Sequence, residues 1–112
     1  GITRMEALLR DERFLNRYFT PAETAYVHAK GAGAAQTLAG LYAAKEAVLK
    51  AMGVGIALPL QEVEIFHGSG GQPQVRLTGR AAQQLAGMGG GSFLLTITHE
   101  GDTAAAAALW QA

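Results

Sequence analysis

The chain has 112 residues, 49% of them hydrophobic, with nine basic side chains against nine acidic ones. That length fits one small domain with a modest core, and the balanced charge gives no general attraction to nucleic acid or to an anionic membrane. There is no cysteine, which excludes disulfides, thiolate metal sites and cysteine nucleophiles. No apolar run approaches the roughly 20 residues of a membrane span, and no signal-peptide pattern opens the chain, so a cytoplasmic protein is expected.

Thr3 and Glu6 have capping-box spacing, followed by Met5, Leu8, Leu9 and Leu15 as a loose apolar face. This predicts a helix broken near Asp11–Glu12. Thr20-Pro21-Ala22-Glu23 places a cap, a first-turn proline and a third-position glutamate in order, predicting a short helix that ends by Gly31. The longest helical signal runs from about Ala34 to Met52 and stops at Gly53 and Gly55. Glu62–Phe66 then alternates, HGSGGQP supplies turn residues, and Gln74–Leu77 alternates again, which predicts a β-hairpin.

Gly79–Ala86 reads as a short helix. After Gly89-Gly90-Gly91, SFLLTIT reads as a strand with Phe93, Leu95 and Ile97 on its more apolar face and His99 continuing that phase at its end. Glu100-Gly101-Asp102 is a tight turn. In TAAAAALW, alanine favours helix, yet the strand and turn before it favour a hairpin partner. We read it as a strand whose small side chains permit close packing. The whole is an α+β domain over residues 1–112, helices on an antiparallel sheet.

Chemistry concentrates in LYAAKEAVLKAMG. Leu38, Leu41, Val48, Leu49 and Met52 share a helix face, with Tyr42 at its edge and Lys45 in its middle. A lysine there must reach outward or find an anion. Glu46 and Lys50 stand in the order that favours a surface ion pair, worth about 0.2–0.5 kcal/mol. A phosphate ligand with a divalent cation is the alternative, since magnesium takes one or two carboxylates plus phosphate oxygens.

Elsewhere the chemistry is sparse. His28 and His67 read as surface or turn residues, and GMGGGS lacks the lysine of a phosphate loop. Arg4, Arg10, Arg13 and Arg17 gather near the start; the last three share a face if one helix runs through them.

LAGLYAAKEAVLKAMGVG is similar to the signature of the 4′-phosphopantetheinyl transferases. TRMEALL at 3–9, RFLNRYFTPAE at 13–23, EVEIFHGSGGQPQVRLTGRA at 62–81 and LTITHEGDTAAAA at 95–107 resemble the small bacterial members, the holo-acyl-carrier-protein synthases, in the same order. The resemblance implies transfer of 4′-phosphopantetheine from coenzyme A to a serine of an apo acyl carrier protein, releasing adenosine 3′,5′-bisphosphate, in lipid metabolism through fatty acid biosynthesis or, alternatively, in polyketide synthesis. Its alternative is a non-catalytic module of the same fold that binds carrier protein or coenzyme A.

The resemblance makes Glu46 a magnesium ligand and catalytic residue, and Lys50 a catalytic lysine facing the pyrophosphate. Lys45 becomes a phosphate contact or site support, and His99 a contact to coenzyme A. Arg4, Arg10, Arg13 and Arg17 would dock the acidic helix of the carrier protein. The resemblance also implies a homotrimer whose sites lie between subunits, motif helix from one and histidine-bearing strand from the next. It further implies a strand ahead of Gly1 bearing a Gly-x-Asp motif with the other magnesium ligand. The family's arginine before the motif aromatic is here Leu41.

Overall fold

The longest helix organises the molecule. In the computed structural model, which describes residues 1–54 and 57–112, α1 (Ile2–Leu8), α2 (Glu12–Tyr18) and α3 (Pro21–His28) lead to α4 (Ala34–Ala51). Two antiparallel hairpins follow: β1 (Val63–His67) with β2 (Pro73–Leu77), then, after α5 (Gly79–Gly87), β3 (Ser92–Glu100) with β4 (Thr103–Gln111). The architecture is α+β, as expected. Gly55, expected as a second stop for α4, lies outside the described residues.

α4 forms because its apolar positions recur at helical spacing and bury together: Leu38, Leu41, Ala44, Val48 and Leu49 are at most 1% exposed. It ends in a paired carbonyl cap. Gly53 takes φ +75°, its N–H donates to the Lys50 carbonyl, and the Val54 N–H reaches back to Leu49.

The β3–β4 ribbon lies across this helix. Leu95 pairs with Ala108, Ile97 with Ala106 and His99 with Ala104 on the side toward α4. Alanines there let strand and helix approach closely, so tertiary packing overrides alanine's helical preference. On the opposite side Leu94 faces Leu109, and these two are 56% and 59% exposed.

The amino end departs from expectation. The Thr3–Glu6 capping box does not form, because α1 already begins at Ile2. The Thr3 N–H and hydroxyl instead donate to Asp102 Oδ1 at 2.7 and 2.8 Å, so the β3–β4 turn caps α1 from across the fold. Those bonds hold the Asp102 carboxyl below its ordinary pKa, the Thr3 hydroxyl contributing most. Asp11 caps α2 through the Phe14 N–H. The chain therefore breaks between α1 and α2, and Arg10, Arg13 and Arg17 do not share one continuous helix.

Candidate functional site

The C-terminal half of α4 carries Glu46, half-buried, and Lys50, exposed. They form no ion pair with each other; the two pairs among the described residues are Lys45–Glu23 and Arg76–Glu64. The plain surface-pair reading is therefore not met. Both charges are available to an outside ligand.

Tyr42, one turn before Glu46, connects this edge to its surroundings. Burial chiefly raises its phenol pKa, the Glu46 and Tyr18 side chains raise it further, and Arg4 lowers it. One hydroxyl thus feels both a site carboxylate and an α1 arginine. Phe14, Tyr18, Phe19 and Tyr42 form an aromatic cluster with centroids 5.1 to 6.4 Å apart, which fixes α2 against α4. Tyr18 and Tyr42 line a cleft of about 420 Å³ whose other walls are Arg17, Arg80 and the Ala57–Leu60 segment.

Lys45 requires a correction. Its side chain is fully buried, with Nζ 2.7 Å from Glu23 Oε1 and donating to the Leu60 and Val63 carbonyls at 2.9 and 2.7 Å. An ammonium has three protons, and these three partners occupy them. Direct phosphate contact does not suit that placement; support from within does.

Burial lowers the Lys45 pKa and Glu23 opposes the shift. Glu23 is itself buried, its Oε1 accepting the Thr20 N–H at 2.9 Å and its Oε2 the Ile65 N–H at 2.7 Å. Removing one member alone would strand a buried charge, a loss of about 3–5 kcal/mol. Sequence reasoning found Glu23 only as a cap. The cap is real, and the same carboxylate also serves the core.

His99, near the end of β3, packs elsewhere along α4. Its Nε2–H donates to the Gln36 carbonyl at 3.0 Å. Gln36 and Glu46 are separated by about 15 Å of helix rise at 1.5 Å per residue. One chain therefore does not bring His99 to Glu46 and Lys50.

A cavity of about 400 Å³ beside His99 is also lined by Tyr26, Lys30, Thr37 and His67. His67 is not a bare turn residue. It stacks on Tyr26 with centroids 4.5 Å apart and an interplanar angle of 9°, and its Nδ1 is buried with no hydrogen-bond partner among the described residues. Nothing in the sequence signalled that stack. Arg80 was missed too, since α5 shows its cleft only once folded.

The arginines divide. Arg4 acts on Tyr42, and Arg17 borders both the Tyr42 cleft and a hollow that Arg13 shares. Arg10 instead borders a depression beside Gly31 and Ala35.

Among the described residues no three His, Asp or Glu side chains converge as a metal cage. Glu46, a hard oxygen ligand without an ion-pair partner among the described residues, fits the way magnesium binds through one carboxylate while phosphate and water supply the rest. No helix among the described residues is long and apolar enough to cross a membrane.

Comparison with known proteins gives one answer. The family model of the 4′-phosphopantetheinyl transferase superfamily matches residues 2–107. A holo-[acyl-carrier-protein] synthase of Treponema denticola is 42% identical over 106 residues, covering 94% of this chain and 86% of the relative. One from Moorella thermoacetica is 43% identical over 110 residues, covering 96% and 85%. Among solved structures, the synthase of Neisseria meningitidis superposes with TM-score 0.87 at 27% identity, covering 100% of this chain and 92% of that one. The Helicobacter pylori synthase in complex with coenzyme A gives 0.84 at 25% identity, covering 99% and 94%.

Proposed function

The chain belongs to the 4′-phosphopantetheinyl transferase superfamily, and from that premise we propose that it transfers the 4′-phosphopantetheine arm of coenzyme A to a serine of an apo acyl carrier protein. The observation that carries this reading is the edge of α4, where Glu46 and Lys50 stand without ion-pair partners among the described residues, near a Tyr42 hydroxyl that feels both Glu46 and Arg4.

The serine oxygen forms a bond to the pantetheine-side phosphorus. The bond from that phosphorus to the bridging oxygen breaks, and adenosine 3′,5′-bisphosphate departs with the electron pair. The serine proton passes to the Glu46 carboxylate or to water. Lys50 stabilises charge that builds on the leaving group, which a fixed cation does best in a partly dry site. Glu46 would hold magnesium, which would supply further neutralisation of the departing group.

Arg4, Arg13 and Arg17 lie on the Tyr42 side, where an acidic helix of the carrier would set its serine beside Glu46; Arg10 adds a contact at the periphery. Such steering weakens with salt. His99 meets the donor from a neighbouring copy in a homotrimer. Two features support that arrangement: the separation of His99 from Glu46 along α4, and the outward Leu94–Leu109 pair on the ribbon.

Incubation with coenzyme A, magnesium and an apo carrier protein should add one phosphopantetheine to the carrier, seen by mass spectrometry. Glu46→Gln should slow this by roughly 100-fold or more while leaving the oligomer intact. Carrier binding with no adduct would favour a non-catalytic module, and an unchanged rate in Glu46→Gln would remove Glu46 from the mechanism.

A further inference from the structure

We propose that Glu23 and Lys45 are positioning residues of the transfer site, an internal brace that sets the angle of Glu46 and the Ala57–Leu60 wall of the Tyr42 cleft; this rests on the transferase reading above. Lys45 immediately precedes Glu46 on α4 but points the other way, into the core. Its ammonium binds Leu60, the last residue of the Ala57–Leu60 wall of the Tyr42 cleft, and Val63, the first residue of β1. Glu23 closes the brace by holding Lys45, the Thr20 cap of α3 and the Ile65 N–H of β1 at once.

Three separate segments, α3, α4 and the entry to β1, therefore meet on two charges. An apolar pair would fill the same space, and replacing a buried ion pair that way is often neutral for stability. What an apolar pair lacks is direction. Oil-like contacts tolerate a small rotation of α4 or a shift of residues 57–63, whereas five polar contacts of 2.7 to 2.9 Å at one point do not. Glu46 is the next residue along the helix, so a rotation that frees Lys45 moves Glu46 as well. Groups that orient a metal ligand by hydrogen bonds commonly govern metal affinity or activity by about 10- to 100-fold; Glu23 and Lys45 act on Glu46 through the α4 backbone instead.

The test uses the full chain, Glu23→Gln, and the double variant Glu23→Gln/Lys45→Met, which removes both charges. Calorimetric titration with coenzyme A in the presence of magnesium chloride gives an apparent dissociation constant, which is corrected for the folded fraction because an unfolded population weakens apparent binding in proportion. Thermal melting and transfer rate are followed in parallel. The expected result is a dissociation constant raised roughly 10-fold or more, together with a higher magnesium requirement for transfer, in a double variant that still melts cooperatively.

An unaltered dissociation constant and magnesium requirement overturn the proposal. So does a variant set in which binding and rate only follow the folded fraction, down to complete unfolding, because the pair is then structural alone. Failure of the unaltered chain to transfer at all would instead strike the transferase reading itself.

Discussion

Tyr26 is held between an imidazole and an ammonium: His67 stacks at 4.5 Å and the Lys30 Nζ sits 4.5 Å from the ring centroid. Burial is the larger cause of the lowered His67 pKa, and the Lys30 charge is the second. Lys30→Gln removes the second cause only. His67 should then titrate at higher pH than in the parent, still below its ordinary value of 6.5, in a proton NMR titration; a midpoint that stays or falls would contradict the assignment. This arrangement was not legible in the sequence, where His67 sits among HGSGG with no visible partner.

Lys45 was legible in a different sense. Its misfit with an apolar stripe could be read from helical spacing alone, but not what resolved the misfit. Glu23 already had a sufficient local explanation as a cap, and local rules cannot see a second bond made across 22 residues.

At the scale of elements, hydrophobic period and turn chemistry located the five α-helices and four strands of the described residues, with the break before α2 where Asp11 caps. The failure was at Thr3, whose spacing to Glu6 suits a capping box, while the hydrogen-bond partner actually used is Asp102 on the β3–β4 turn. A cap borrowed from a distant turn leaves no local pattern.

Gly40 shows the converse, a residue with a purely tertiary reason. A Cβ there would lie 2.9 Å from both His99 Nε2 and Ile97 Cγ2. Helix propensity alone says Gly40→Ala should stabilise by about 1 kcal/mol. Overpacking says it should destabilise by about 1–3 kcal/mol, and the branched Ile97 cannot swing aside. We expect a lower melting temperature and loss of the His99–Gln36 bond; a rise in melting temperature would show that β3 yields easily.

For the whole molecule, α4 is long enough to present different chemistry at its two ends. Glu46 and Lys50 occupy one end, His99 is tied to Gln36 near the other, and the exposed Leu94–Leu109 face lies on the ribbon between copies in the proposed trimer. Motifs named these residues from the sequence, but sequence distance could not say that one chain keeps them apart. In the proposed trimer a site shared between subunits would make the two ends complementary: a copy damaged at Glu46 would still offer a sound His99 to its neighbour.

Mixing variants tests that claim most directly. Glu46→Gln and His99→Ala are each expected to transfer poorly alone. Unfolded together and refolded at equal amounts, they should regain up to about one quarter of parental activity, the fraction of interfaces in a closed cyclic trimer that pair an intact Glu46 with an intact His99. No recovery from a mixture that has formed trimers would mean that each chain works with its own histidine, and the shared-site account would fail.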